Sequence, residues 1–150
     1  MRLKLYRTKN RWLIHSKNGQ AMISGKIIAE PEKNSCRFSY NGATGLLHTI
    51  LSPSFLKYKF QSEEYVMTCS CARDAPVKNI IWKIKPQQHP SANFTKLKIV
   101  EITSQRFIML YSTKKIALCH KLPPKHFLIK MIEPDSLPPL CLLSAVYPLL

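Results

Sequence analysis

Residues 137–150 read LPPLCLLSAVYPLL, and no position from Leu140 onward carries a charge. Asp135 or Ser136 is suited to cap a helix at this point, and the adjacent prolines suit its first turn. A helix that is apolar on every face has to be buried in protein or in lipid. The stretch is shorter than the roughly 20 residues that span a bilayer. It therefore predicts a helix over about 139–150 that the rest of the chain encloses.

The chain before this stretch is dominated by a period of two. In 56–60, 80–85 and 94–102, apolar side chains alternate with lysines. Each run has one apolar face and one basic face, which is typical of a half-buried antiparallel strand. Turn signals such as Asn41-Gly42 separate the runs. Strands are predicted near residues 3–6, 12–15, 21–28, 36–40, 46–50, 56–60, 65–71, 80–85, 94–102, 106–112, 116–121 and 127–132.

These patterns predict a mostly β fold of about twelve antiparallel strands with the apolar helix as its core. No amphipathic helix is indicated before residue 135, and no internal repeat is found. The stretch that most resembles a linker, 86–93, is better explained as a surface loop, because neither half of the chain alone would form a good domain. We therefore expect one domain over residues 1–150.

The charge of the chain is strongly unbalanced. Lys and Arg number 23 and Asp and Glu only 8, a net charge of +15. Such a surface attracts polyanions: nucleic acid, anionic lipid headgroups or acidic proteins. Charge by itself does not choose among these partners, and it is also compatible with a basic surface that only keeps the protein soluble.

The cysteines and the N-terminal residues indicate the compartment. The five cysteines are odd in number and lie in strand-like runs, so we expect free thiols that pack as small apolar groups. The N-terminal residues lack the apolar core of a signal peptide. No run reaches the ~18 apolar residues of a membrane span. Together these features predict a cytoplasmic location, with peripheral membrane association left open.

A metal site has one candidate set of ligands. Cys69 and Cys71 point the same way on a strand and could join Cys119 and His120 around zinc. However, Cys119 and His120 are adjacent and should face opposite sides of a strand. The C-x-C spacing also differs from that of zinc knuckles. Neither a metal nor another cofactor is therefore expected.

The sequence also gives little support for catalysis. Five histidines could each pair with a cysteine, but no spacing supports such a pair. The phosphate-loop, nucleophile-elbow and metalloprotease signatures are not found. Eight carboxylates leave few acid–base pairs. We predict that the protein is not an enzyme.

The outward lysines of three strands are the candidate binding residues. On each strand the two lysines alternate with apolar residues, so both point to the exposed face of that strand. Solvated lysines that keep sheet edges from aggregating are the plainer explanation. Tyr58, Phe60 and Trp82 are expected to point inward, and without exposed rings among the lysines a single-stranded nucleic-acid site is disfavoured. The candidates are Lys57, Lys59, Lys83, Lys85, Lys96 and Lys98.

About twelve antiparallel strands followed by a wholly apolar helix at 140–150 resemble the tubby-like C-terminal domain superfamily, over the whole chain. That group includes tubby proteins, phospholipid scramblases and plant LURP-one-related proteins. The resemblance implies a twelve-stranded antiparallel β-barrel around a central C-terminal helix. Two features depart from the family: Pro148 should end the helix early, and only Glu133 and Asp135 supply acidic groups near the helix, so the calcium dependence of scramblases does not carry over.

Tubby proteins bind phosphoinositides through basic residues on the barrel, although no motif of this chain matches those positions one by one. The resemblance favours a module that binds anionic lipid headgroups at a membrane surface. The alternative is a nucleic-acid-binding or regulatory protein-interaction module that uses the same charge through phosphate contacts. Exposed aromatic rings on the basic surface would favour nucleic acid, and a headgroup-sized pocket would favour lipid.

Overall fold

A computed structural model describes residues 2–8, 11–17, 26–32, 34–40, 42–72, 79–89, 91–122, 126–133 and 137–149. Its strands are β1 (Arg2–Thr8), β2 (Arg11–Lys17), β3 (Lys26–Glu32), β4 (Ser35–Tyr40), β5 (Ala43–Leu51), β6 (Phe55–Ser62), β7 (Tyr65–Ala72), β8 (Asn79–Pro86), β9 (Thr95–Thr103), β10 (Arg106–Tyr111), β11 (Lys114–Leu122) and β12 (His126–Met131). Helix α1 (Pro139–Val146) runs into a 3₁₀ turn at Tyr147–Leu149. The mostly β class with one short helix at the C-terminal end is confirmed.

The strands pair with their neighbours in the chain. Nine of them, β4 to β12, form one continuous antiparallel sheet. The backbones of β3, β2 and β1 continue this order from β4. β1 also pairs with β12, with Leu3 opposite Ile129. Because each strand reverses into the next, the connections β5–β6, β6–β7, β9–β10 and β10–β11 are short hairpins, whereas a longer loop joins β8 to β9.

The third strand differs most from its predicted position. It was expected at 21–28, of which 21–25 lie outside the described residues, and β3 runs from Lys26 to Glu32. Pro31, a residue type common in turns, lies opposite Cys36 within the strand pair. A strand tolerates the fixed φ of proline where its missing N–H is not needed by the ladder. Asn34, with φ 63°, makes the turn into β4.

The inner face of the sheet is apolar because of the period of two. On β8, Ile80, Trp82 and Ile84 are buried, whereas Ile81 and Lys83 between them are exposed. Tyr58 and Phe60 are buried on β6 in the same way. The predicted inward orientation of Tyr58, Phe60 and Trp82 is confirmed.

Helix α1 packs inside the curve of the sheet. Its residues from Leu140 to Val146 are all buried, and the core is shared with strands from β4 to β12. Fully burying a Leu or Val side chain is worth ~1.5–3 kcal/mol. The five large aliphatic side chains of the segment, Leu140, Leu142, Leu143, Val146 and Leu149, together approach the ~5–15 kcal/mol net stability of a domain.

Polar contacts fix the helix against the neighbouring strands β7 and β8. The indole N–H of Trp82 on β8 donates to the carbonyl of Ala145 at 3.0 Å. The Ser144 hydroxyl donates to the Cys141 carbonyl at 2.9 Å and lies 3.6 Å from the Met67 sulfur on β7. The one polar side chain of the buried helix is thereby satisfied, as burial requires.

The two ends of the helix follow from its prolines. Pro138 occupies the N-cap position and Pro139 begins the helix, where a missing N–H costs nothing. The predicted capping residues Asp135 and Ser136 lie outside the described residues. The α-helix ends at Val146 rather than at 150, because Pro148 cannot continue it.

Candidate anion-binding face

The six candidate lysines lie on the outer side of strands β6, β8 and β9. Five of them are exposed and Lys85 is half-buried. Their orientation is a consequence of the same alternation that turns Tyr58, Trp82 and Leu97 inward. We call the outward side chains of β6–β9 the basic face.

The register of the sheet brings some of these lysines together. Lys83 on β8 lies directly opposite Lys96 on β9. On the other side, Lys83 lies opposite Thr68 of β7, which lies opposite Lys59 of β6. Neighbouring strands are about 4.8 Å apart, so these side chains form one row across four strands. The sequence could not show this row, because it does not reveal which strands are adjacent.

The remaining lysines lie beside this row. Lys57 is opposite Ser70, and Lys98 is opposite Ile81. Strand β7 separates the lysines of β6 from those of β8 and contributes small polar groups. The basic face is therefore dense on β8 and β9 and more widely spaced towards β6.

The pair formed by Lys83 and Lys96 has an electrostatic cost. Like charges directly opposite on neighbouring strands are destabilising. The tertiary packing of the core does not require lysine at either position, since both side chains point to solvent. A multivalent anion bound over the pair would relieve the repulsion.

Phe94 is an exposed aromatic ring on the basic face. Its side chain is 51% exposed, and the ammonium groups of Lys85 and Lys83 lie 4.9 and 5.9 Å from the ring centroid. The expectation that no aromatic ring lies among the outward lysines is therefore wrong. Phe94 precedes the first residue of β9, so strand alternation does not determine where it points.

Aliphatic side chains are also exposed beside the lysines. Ile81 is 46% exposed and faces Lys98 across the strand pair; Ile50 is 50% exposed and faces Lys57. Sequence reasoning missed both residues as part of a surface. A signal was present: in a strand with a period of two, the doublet Ile80-Ile81 must turn one isoleucine outward.

Two concavities lie next to the basic face rather than under its lysines. One, of about 370 Å³, is lined by residues of β4, β5 and β6 that include Arg37, Thr44 and Gln61. The other, of about 280 Å³, is lined by residues of β9–β12 that include Arg106, Leu118 and His120. The lysines themselves stand on open strand surface, a shape that suits an extended anionic partner better than a single enclosed phosphate.

None of the five cysteines is in a disulfide, as predicted. The sulfur atoms of Cys69 and Cys71 are 3.7 Å apart on β7, whereas Cys119 lies on β11. Burial raises the pKa of the Cys69 thiol, with a further increase from Cys71, and burial raises that of Cys119 to about 12. A protonated buried thiol is a poor nucleophile and a poor metal ligand. Within the described residues, no three His, Cys, Asp or Glu side chains group as metal ligands.

The chain matches no protein-family model, no curated protein and no solved structure in comparisons with known proteins. None of the helical segments in the described part of the chain could span a bilayer. The assignment of a function therefore depends on the geometry of this protein itself.

Proposed function

We propose that this chain is a non-enzymatic binding module whose basic face binds anionic lipid headgroups, phosphoinositides among them, at the cytoplasmic surface of a membrane. The fold we propose for it is the twelve-stranded tubby-like barrel around α1, in a single domain. The pairing of β1 with both β2 and β12 supports this fold. The proposal needs neither a cofactor nor a metal.

The observation that carries the proposal is the row of lysines across β6–β9. A membrane presents negative charge over a plane, and an open face with lysines on three strands can contact many headgroups at once. Each lysine close to an anionic membrane surface is worth about 1 kcal/mol. Six lysines would therefore supply about 6 kcal/mol before the cost of orienting the protein is subtracted.

The exposed aliphatic residues favour a membrane over a purely ionic partner. Ile81 and Ile50 lie directly opposite Lys98 and Lys57. Burying aliphatic side chains at the boundary between headgroups and acyl chains is favourable in free energy. The neighbouring lysines can remain in the headgroup layer. A nucleic-acid backbone offers them no comparable environment.

Phe94 supports nucleic acid as the second candidate. An exposed ring between Lys83 and Lys85 is the arrangement on which a base could stack while its phosphates contact the ammonium groups. Stacking platforms for single strands use several neighbouring rings, whereas Phe94 precedes β9 and the other exposed ring of this face, Phe55, lies at the start of β6. The lipid surface is therefore the preferred partner.

A binding screen of the full chain separates the two candidates. The probes are vesicles of phosphatidylcholine alone, vesicles containing phosphatidylserine, vesicles containing a phosphoinositide, and single-stranded and duplex DNA, each at low and at physiological salt. We expect co-sedimentation with both kinds of anionic vesicle, weakened by salt, and none with neutral vesicles. DNA binding with a steep salt dependence and no vesicle binding would overturn the lipid proposal in favour of the second candidate.

A further inference from the structure

The hairpin that joins β5 to β6 exposes three large apolar side chains within six residues. Ile50 is 50% exposed, Leu51 60% and Phe55 41%. No charged residue lies between His48 and Lys57. We call residues 50–55 the hairpin tip. Large apolar side chains scattered singly on a surface are ordinary, whereas a contiguous group marks an interaction site.

Ser52 and Phe55 hydrogen-bond to each other across the hairpin tip. The Ser52 N–H donates to the Phe55 carbonyl at 3.0 Å, and the Ser52 hydroxyl donates to the same carbonyl at 3.0 Å. In return, the Phe55 N–H donates to the Ser52 hydroxyl oxygen at 3.2 Å. Pro53 contributes no N–H. The Ser52 N–H and the Phe55 N–H and carbonyl are therefore satisfied within the tip, which lowers the cost of moving this part of the loop out of water.

The hairpin tip is continuous with the basic face. Phe55 and Lys57 point to the same side of β6, and Ile50 lies opposite Lys57 in the strand pair. Lys59 follows on the same side. Along β6 the surface thus changes from apolar at Phe55 to basic at Lys57, the next residue on the same side of the strand.

We propose that the hairpin tip inserts into the boundary between the headgroups and acyl chains of an anionic bilayer, while Lys57 and Lys59 hold the headgroups above it. The inference rests on the proposed lipid-binding function and adds to it the orientation of the protein on the membrane. The apolar-to-basic order along β6 matches the order of layers that a protein meets on entering an anionic membrane. Interfacial segments of this kind sit about 5–10 Å deep in the headgroup boundary.

The test compares tryptophans placed at two exposed phenylalanines. Phe55→Trp puts the reporter at the hairpin tip, and Phe94→Trp, the matched control, puts it on the basic face away from the tip. We expect the added emission of Phe55→Trp to shift to the blue on phosphatidylserine vesicles and to be quenched by lipids brominated in their acyl chains. That of Phe94→Trp should change far less. The unsubstituted protein supplies the background of Trp12 and Trp82.

The outcomes distinguish this inference from the function on which it rests. Co-sedimentation with the vesicles, without any shift or acyl-chain quenching of Phe55→Trp, would overturn insertion and leave lipid binding standing. No co-sedimentation at all would overturn both.

A pair of substitutions provides an independent measurement. Leu51→Gln should lower partition onto phosphatidylserine vesicles by about tenfold, and Ile132→Gln, at a residue 43% exposed beyond β12, should leave it unchanged. Both variants should have the melting temperature of the unsubstituted protein. If Leu51→Gln instead changes the size of the protein in vesicle-free solution and leaves partition unaltered, the hairpin tip is a protein–protein contact and the inference is wrong.

Discussion

The two faces of strand β8 differ in composition and in how strongly packing restricts which residues they can carry. Trp82 and Lys83 are consecutive, yet the first is fully buried against α1 and the second is exposed next to Lys96. The inner face is determined by packing, because its side chains must fill the space around the helix. The outer face is not so constrained. Substitutions on the outer face should therefore cost little stability, whereas those on the inner face should cost much.

The largest loss of stability is expected from removing helix α1. A chain ending at Asp135 lacks α1, so the inner face of the sheet would be left exposed or empty. We expect it to aggregate or to lose its cooperative thermal transition, measured by circular dichroism. A tail that only anchored the protein or docked a partner would leave a cooperative transition near the full-length temperature, and that result would show the enclosed-helix account to be wrong.

A matched pair of charge substitutions makes the same comparison without shortening the chain. Leu143→Asp buries a carboxylate at a position 1% exposed and should prevent folding. Leu51→Asp places the same group at a position 60% exposed and should melt close to the unsubstituted protein. Equal melting temperatures for the two variants would contradict the assignment of Leu143 to the interior and Leu51 to the surface.

An intermediate effect is expected from Trp82→Phe. The substitution removes the hydrogen bond to Ala145 and part of a buried ring, which together cost about 2–4 kcal/mol. Ile81→Val, on the outer face of the same strand, should cost less than about 0.5 kcal/mol. Urea unfolding of both variants measures the difference. A loss below about 1 kcal/mol for Trp82→Phe would mean that the helix does not depend on this contact.

The buried thiols should leave stability at neutral pH unchanged and lower it only at alkaline pH. Burial raises the pKa of Cys119 and of Cys141 from 9.0 to about 12, with a further contribution from Glu64 at Cys141. Above pH 9 the unfolded chain releases thiol protons that the folded chain retains, so the free energy of unfolding falls between pH 9 and about pH 12.

Each thiol should contribute a slope of about 1.4 kcal/mol per pH unit in that window. The double variant Cys119→Ala/Cys141→Ala should lose this part of the slope, whatever its stability at pH 7. Urea titrations at a series of pH values provide the measurement. Identical slopes for the variant and the unsubstituted protein would show that these thiols are accessible to solvent in the folded state.

The features that could be predicted from the sequence are those with a local cause. The burial of Leu143 followed from the absence of charge around it, and the inward orientation of Trp82 followed from alternation with lysines. Pro148 was correctly expected to end the helix early. The position of β3 was not predicted, because Pro31 has the character of a turn residue and yet pairs with Cys36.

The features that could not be predicted depend on pairing between strands. Lys83 and Lys96 are thirteen positions apart in the chain and meet only through the register of β8 and β9. Phe94 reaches the basic face from a loop, where no period constrains its direction. The candidate lysines were thus identifiable one by one, while their arrangement as a row with apolar neighbours was not.

On the proposed function, the basic face rather than net charge alone binds anionic membranes. Two double variants that lower the net charge equally separate these two causes: Lys83→Gln/Lys96→Gln on the basic face, and Lys115→Gln/Lys130→Gln at exposed positions on β11 and β12. Neither should lose more than about 0.5 kcal/mol of stability, and relief of the Lys83–Lys96 repulsion should slightly stabilise the first. Partition onto phosphatidylserine vesicles should fall about thirtyfold for the first variant and remain nearly unchanged for the second. Equal losses for the two variants would contradict the account, because binding would then follow total charge and not the face that the fold assembles.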